Sequence, residues 1–136
     1  MDCLLQEFQQ FWRENSAIWI EKFQYKEAAP HLILQAFLQR VINGGGNILR
    51  EAGTGTGRTD ICLVYEGQKY PLELKIRRGE KSLKEGIEQT LRYMDVFGCS
   101  EGWLAIFDRR PEIRWDEKIY MKKETIDGKT VTIAGL

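Results

Sequence analysis

Asp60, Glu73 and Lys75 are the residues whose types and spacing best suit chemistry. Glu73 and Lys75 are two residues apart in an otherwise apolar run, so on a strand they share one face. Charged side chains beside a core are costly to bury unless they are paired or bind a metal. Two carboxylates and an amine are the groups that metal-assisted hydrolysis of a phosphodiester needs, so the trio predicts this chemistry.

A tight hairpin is predicted to bring Asp60 beside the other two residues. Two short runs rich in β-branched and aromatic residues, 61–66 and 69–76, are separated by Gly67 and Gln68. If Gly67 and Gln68 form the loop, the two strands pair in a single register. The expected partners across the hairpin are Val64 with Pro71, Cys62 with Glu73, and Asp60 with Lys75. The charged trio then lies on one face, and the opposite face is apolar.

This pairing makes Asp60 and Glu73 diagonal neighbours, about 7 Å apart at Cβ, so both carboxylates can reach one ion. Mg²⁺ suits them, because it binds one or two protein carboxylates and completes its shell with water and phosphate oxygens. Mn²⁺ is the expected substitute. Lys75 can orient or deprotonate the attacking water, or offset charge on the phosphorane. We therefore expect Asp60 and Glu73 to bind the metal and Lys75 to assist catalysis.

A second motif lies downstream on a predicted helix. Gln89 and Tyr93 are four residues apart, so they fall on one helical face. Together with Asp60, Glu73 and Lys75, they make the chain resemble the PD-(D/E)XK nuclease superfamily, and Gln89 to Tyr93 is similar to the QxxxY motif of its RecB-like branch. The resemblance implies that Gln89 acts with the catalytic residues and that Tyr93 binds substrate.

The resemblance extends from about Phe11 to the C-terminus, and it is closest to the nuclease-like domain at the C-terminus of many prokaryotic AAA-type ATPases. The segments that carry it are residues 27–31, the leucine-rich run after them, 43–46 and 55–60. In that family an acidic residue on or near the first helix often joins the site, which implies Glu27 as a third metal ligand, with Glu51 as its competitor. An ATPase domain in the parent chain is also implied. Thr59 stands where the superfamily's name has proline, a departure that many members share.

The chain carries 20 basic and 20 acidic residues, so its formal net charge is zero. A protein whose entire surface binds nucleic acid would be basic, so a binding surface on this chain has to be local. One basic run with Glu80 as its single acidic residue leads away from the predicted metal site: Lys75, Arg77, Arg78, Lys81 and Lys84. The run predicts that Arg77, Arg78 and Lys81 bind the phosphate backbone, although a solvated loop has the same composition.

Length and composition predict a single domain over residues 1–136, with residues 1–25 as a helical N-terminal extension. The three cysteines are far apart and lack a CxxC spacing, so neither a zinc site nor a disulfide framework is expected. No apolar stretch reaches the length of a membrane span, and the first ten residues lack the basic start of a signal peptide. We therefore expect no membrane partner and a location in the reducing cytoplasm.

Periodicity and turn residues predict the elements that have to position these residues. Helices are expected over residues 2–25, with a break near Asn15 and Ser16, and over 30–43 and 82–97; strands are expected over 47–51, 61–66, 69–76, 103–107, 114–122 and 130–134. Ser82 is expected to cap its helix with Glu85 three residues later, and Gly98 to end it. The strand over 103–107 is expected to lie parallel to the strand that carries Glu73. The aromatic residues of the first helix are expected either to pack on this domain or to dock onto an ATPase.

The fold class predicted from these elements is α/β, with a mixed central sheet of about five strands flanked by helices, resembling the restriction-endonuclease core. The expected function is Mg²⁺-dependent hydrolysis of nucleic-acid phosphodiester bonds, with DNA as the expected substrate. The alternative is a catalytically inactive module that binds nucleic acid or protein and is attached to an AAA-type ATPase. The choice between endonuclease and exonuclease, and the oligomeric state, stay open.

Overall fold

The computed structural model describes residues 1–22, 28–43, 45–50 and 61–136. In chain order, the elements within these ranges are α1 Asp2–Lys22, α2 Ala28–Ile42, β1 Gly46–Arg50, β2 Ile61–Tyr65, β3 Gln68–Arg77, α3 Glu80–Phe97, β4 Glu101–Asp108, α4 Trp115–Lys118, β5 Tyr120–Ile126 and β6 Lys129–Gly135. None of the helices in this part of the chain is long and apolar enough to cross a membrane.

The strands form one six-stranded sheet in the order β1-β2-β3-β4-β6-β5. β3 is parallel to β4 and β4 is parallel to β6, whereas the other neighbours are antiparallel. α3 supplies the crossover that a parallel β3–β4 pair requires. The prediction of an α/β fold with a mixed sheet is confirmed, as is the parallel pairing of the strand that follows α3.

Helices cover both faces of this sheet. On one face, α1 and α2 bury an apolar cluster formed by Leu5, Phe8, Trp12, Leu34, Leu38, Ile61, Leu63, Leu72, Leu74, Trp103, Ala105, Phe107, Ala134 and Leu136. On the other face, α3 covers a smaller cluster formed by Met94, Leu104, Ile106, Val131 and Ile133. The side chains of β4 alternate between the two clusters, and those of β3 alternate between the larger cluster and a buried face under α3, so both strands are packed on both sides.

α1 belongs to the larger of these clusters. Phe8 is fully buried, and its ring lies 5.3 Å from that of Phe37 on α2 and 6.3 Å from that of Phe107 on β4. The predicted break near Asn15 and Ser16 is wrong, because α1 continues to Lys22. Asn15 donates its side-chain amide to the carbonyl of Phe11 at 2.9 Å, so it bonds back along the helix instead of ending it.

The hairpin between β2 and β3 turns one residue earlier than predicted. Its loop residues are Glu66 and Gly67, with φ of 50° and 77°, and Tyr65 pairs with Gln68. Positive φ at both loop residues defines the type I′ turn, whose twist matches the flanking strands. The observed register therefore pairs Cys62 with Pro71 and Val64 with Lys69, not Cys62 with Glu73. Because the register changes by two residues, every side chain keeps its predicted face.

The C-terminal end of α3 is as predicted, but its start is not. Gly98 has φ 67° and ψ 35°, and the N–H groups of Gly98 and Cys99 donate to the carbonyls of Asp95 and Met94. These bonds form a Schellman motif. The helix begins at Glu80 after Gly79, so Ser82 is not its cap. The Ser82 hydroxyl instead accepts a 3.0 Å hydrogen bond from the backbone N–H of Arg78.

The strand predicted over residues 114–122 is wrong in its first half. Arg114 precedes the short helix α4, and its carbonyl accepts hydrogen bonds from the N–H groups of Glu117 and Lys118. The strand β5 begins only at Tyr120. Trp115 packs against the larger apolar cluster, which fixes this helical turn. The turn at Asp127 and Gly128 and the final strand agree with the prediction.

Candidate active site

Glu73 and Lys75 lie together in the interior of the fold. They are on β3, the third strand of the six, and both face α3. Only 1% of Glu73 and 3% of Lys75 is exposed. Their partners on β4 are Leu104 and Ile106, both members of the apolar cluster under α3. A carboxylate and an ammonium are thus buried two residues apart on a central strand, which is an unusual and costly arrangement.

The absence of a side chain at Gly86 lets α3 lie close over this pair. A Cβ at that position would be 2.8 Å from Cδ1 of Leu104 and 3.2 Å from Cγ of Lys75. A larger residue at this position would force the side chains of Leu104 and Lys75 to move. The methylene stem of Lys75 thus lies directly under α3.

The Lys75 ammonium has an ion-pair partner at the start of α3. Its Nζ lies 3.9 Å from Oε2 of Glu85, and the other oxygen of that carboxylate lies 3.6 Å from Nζ of Lys81. Glu85 is half exposed, with 46% of its side chain accessible, whereas Lys81 is almost fully solvated. Glu85 therefore connects a buried ammonium to the protein surface.

Gln89 and Tyr93 follow Glu85 at intervals of four residues, so the three lie in one row along α3. α3 runs antiparallel to β3, since Glu85 contacts Lys75 at one end and Phe97 lies under the Lys69 ammonium at the other. A strand rises about 3.3 Å per residue and a helix about 1.5 Å, so two residues of β3 match roughly four of α3. This spacing brings Gln89 level with Glu73. The Gln89 Oε1 atom is buried, and no hydrogen-bond donor reaches it from the described residues.

Asp60, Glu27 and Glu51, the other expected metal ligands, lie outside the described residues. So does the glycine-rich stretch that precedes Asp60. The chain enters β2 at Ile61, which pairs with Leu72, the residue before Glu73. Cys62 lies on the predicted face of its strand, but its predicted pairing with Glu73 is wrong, because Pro71 lies opposite it.

The basic residues after Lys75 are partly neutralised by nearby carboxylates. Arg77 has 18% of its side chain exposed, and its Nη2 lies 2.5 Å from Oε1 of Glu80. Arg78 is exposed, and Lys81 has 89% of its side chain exposed. Of the three residues expected to bind phosphate, Arg78 and Lys81 thus present their charge to solvent, whereas Arg77 lies mostly inside the fold.

A second carboxylate is buried at the carboxyl end of β4. Asp108 pairs with Arg77 in register and accepts two hydrogen bonds from the Arg110 guanidinium, at 2.9 and 2.6 Å. Burial by itself would raise the pKa of Asp108, but the hydrogen bonds from Arg110 outweigh it and lower that pKa below its ordinary value. Burial raises the pKa of the nearby Tyr120 phenol. β3 and β4 therefore each end in a charged residue that is ion-paired within the fold.

The chemistry of Glu73 fits a hard divalent cation. Mg²⁺ and Mn²⁺ prefer carboxylate oxygens, and a buried glutamate on a rigid strand presents two of them at a defined place. Within the part of the chain that the structure describes, no three His, Cys, Asp or Glu side chains cluster as a ligand set. The described residues thus contribute one carboxylate, and the further ligands expected from the sequence are Asp60 and Glu27.

Glu85 is the residue of this site that the sequence prediction missed. It was interpreted as a partner of the Ser82 cap, a role that the start of α3 at Glu80 excludes. A usable signal was present, because Glu85 precedes Gln89 by one helical turn and shares its face with Tyr93. Its contact with Lys75, however, depends on where α3 crosses β3, which no local pattern specifies.

A comparison of the chain with protein-family models, curated proteins and solved structures found no match. The chemistry of the site therefore has to follow from its own residues. These are a buried glutamate and lysine, a row of polar side chains on the helix above them, and an edge of charged residues at the ends of the parallel strands.

Proposed function

We propose that this protein is a Mg²⁺-dependent nuclease that hydrolyses phosphodiester bonds of DNA, with a site of the PD-(D/E)XK kind built on a restriction-endonuclease-like core. The observation that carries the proposal is the joint burial of Glu73 and Lys75 on one face of the central strand. Such a buried pair marks a candidate functional site, since apolar residues of similar size are often at least as stabilising.

Glu73 and Asp60 are assigned to the metal, with Glu27 as the third ligand. The chain joins Asp60 directly to Ile61, and the strand partner of Ile61 is the immediate neighbour of Glu73. When bound, the ion would supply a water of lowered pKa and Lewis-acid stabilisation of the phosphate. Glu73 itself would orient the ion from a strand that is packed on both faces.

Lys75 would donate a hydrogen bond to the attacking water or to a phosphate oxygen. Its stem is confined under α3, so the ammonium can reach only a small region above β3. Holding the group in this way lowers the entropy lost on reaching the transition state. Gln89, level with Glu73, would help to orient the water or the metal ligands, and Tyr93 would contact the substrate one turn further along.

Arg78 and Lys81 are the residues assigned to the phosphate backbone, with Arg77 supporting them. The ion pair of Lys81 with Glu85 is exposed, and such pairs contribute at most about 1 kcal/mol. Exchange of this partner for a phosphate is therefore inexpensive. A zero net charge agrees with a local binding surface, and the small number of assigned phosphate contacts predicts a modest dependence of DNA affinity on salt.

Cleavage assays with supercoiled plasmid and single-stranded DNA, in Mg²⁺ or Mn²⁺, test the proposal. We expect Lys75→Ala to lower kcat by roughly 10²- to 10³-fold, the usual loss when one preorganised hydrogen-bond donor to the transition state is removed. Lys84→Ala, on an exposed position of α3, is the matched control and should cleave like the wild type. Glu73→Gln and Asp60→Asn should abolish cleavage and weaken Mn²⁺ binding measured by calorimetry.

The proposal fails if the wild-type protein does not cleave either DNA form, or if Lys75→Ala cleaves as fast as Lys84→Ala. DNA binding that persists in chelator, without cleavage in Mg²⁺ or Mn²⁺, would identify the inactive interaction module instead. The state in which cleaved plasmid appears, nicked or linear, separates single-strand from double-strand cutting.

A further inference from the structure

We propose that Glu85 is a positioning residue, which holds the Lys75 ammonium where the reaction needs it; this inference rests on the proposed nuclease function. The residue lies outside the motifs that define the site in the sequence. Three observations carry it: the contact with Lys75, the confinement of the lysine stem, and the row that Glu85 forms with Gln89 and Tyr93.

The contact is an ion pair between the end of the lysine side chain and the first turns of α3. Oε2 of Glu85 lies 3.9 Å from Nζ of Lys75, at the surface end of the lysine side chain, while Glu73 lies two residues back along the same strand. A lysine ammonium on a flexible four-carbon stem has many rotamers, and it is a compact point charge with no preferred plane. The Glu85 carboxylate favours those rotamers of Lys75 that bring the ammonium close to it.

Confinement by the helix makes this selection effective. The missing side chain at Gly86 brings the backbone of α3 close to Cγ of Lys75, and Glu85 is the preceding residue. The same turn of helix therefore covers the stem and supplies the carboxylate that holds the head. A change at Glu85 can alter the position of the ammonium without moving β3.

Two other roles for Glu85 are a metal ligand and a carboxylate that only faces the substrate, and both can be distinguished from a positioning role. A metal ligand of this site is expected to be enclosed, as Glu73 is, whereas almost half of the Glu85 side chain is accessible. A carboxylate that merely faced the substrate would repel phosphate, so its neutralisation would tighten binding and lower KM. Loss of a positioning contact instead lowers kcat and leaves KM unchanged.

Glu85→Gln tests the inference, with Glu88→Gln as the control. Both substitutions remove one negative charge from α3 and keep the shape of the side chain, but Glu88 is exposed and lies about one helical turn beyond the residue that contacts Lys75. We expect Glu85→Gln to lower kcat roughly tenfold, a fraction of the loss from removing Lys75 itself. KM should change little, and any change should be a small decrease, because Lys81 loses its exposed ion-pair partner. Glu88→Gln should keep wild-type values. Glu85→Asp, which retains the charge, should recover part of the lost kcat.

Two other measurements distinguish the outcomes. Mn²⁺ binding by calorimetry should be equal in wild type and Glu85→Gln, and a large loss of Mn²⁺ affinity would show a metal ligand and overturn the positioning role. A kcat equal to that of Glu88→Gln, or a lower KM with unchanged kcat, would overturn it as well. Wild-type protein without metal-dependent cleavage would refute the proposed function itself, whereas cleavage with an unaffected Glu85→Gln refutes this inference alone.

Discussion

Replacing Leu5 with alanine should destabilise the protein far more than the same replacement at Leu32. Leu5 is fully buried on α1, whereas Leu32 on α2 is 60% exposed, and both lie in helices. Deleting a buried leucine side chain removes its transfer free energy and leaves a cavity, which together cost about 3 kcal/mol. At an exposed helical site the cost is about 0.5 kcal/mol or less. The matched pair therefore isolates the burial of α1.

The size of this effect follows from the position of Leu5 in the core. It belongs to the cluster that also contains Phe8 and Trp12 of α1, with Leu74 on β3 and Phe107 on β4. A loss of about 3 kcal/mol is a large part of the 5 to 15 kcal/mol that typically separates folded from unfolded domains. α1 packs on β4, the neighbour of the strand that carries Glu73 and Lys75, so such a loss should also reduce the fraction of protein with an assembled site.

Urea denaturation, followed by tryptophan fluorescence, measures this difference. Trp12 and Trp103 are buried and so report on the unfolding of the core. With a slope of about 2 kcal/mol/M, Leu5→Ala should lower the midpoint by roughly 1.5 M at an unchanged slope, and Leu32→Ala by roughly 0.2 M. Equal midpoints for the two variants would refute the placement of α1 in the core. They would favour the alternative, in which the first helix is an extension that docks elsewhere.

Two further predictions concern the carboxyl end of the parallel strands. Arg110→Ala should lower the urea midpoint at pH 7 clearly more than Arg114→Ala. Replacing Arg110 leaves the Asp108 carboxylate buried without its two guanidinium hydrogen bonds, whereas the guanidinium of Arg114 is exposed. The folded pKa of Asp108 lies below its ordinary value of 3.8, so this stabilisation is present above about pH 3.8 and is lost as the pH falls through the folded pKa. The difference in urea midpoint between wild type and Arg110→Ala should therefore become smaller at low pH. A difference that does not depend on pH would contradict this role of Asp108. Gly135→Ala should cost about 3 kcal/mol in the same urea assay, since its Cβ would lie 2.1 Å from the carbonyl oxygen of Lys118, and wild-type stability would show that this contact is absent.

Strand periodicity was sufficient to place Glu73 and Lys75 on one face. The alternation of side chains is a local property. The predicted faces stayed correct although the hairpin was predicted wrongly, because the turn at Glu66 and Gly67 changes the register by an even number of residues. The end of α3 at Gly98 could be predicted in the same way, since the left-handed conformation that ends many helices favours glycine. The existence of most strands and helices follows from patterns of the same kind.

The surface on which the first helix packs could not be predicted from such a local pattern. Its aromatic residues predicted an apolar face but not the surface that the face covers, and the structure places Phe8 against Phe37 and Phe107. The short helix at Trp115 was missed for a related reason. A four-residue turn has no periodicity of its own, and the packing of Trp115 on the core holds it in place.

The sequence by itself determined which residues of β3 share a face, and that a carboxylate and an amine lie among them, because backbone geometry repeats every two residues. Only the tertiary structure decided that both groups are buried, that α3 passes over them at Gly86, and that Glu85 meets Lys75. Residues 75 and 85 belong to elements whose contact depends on how a helix packs across a sheet. That packing is set by the whole core, so no local pattern in the chain encodes it.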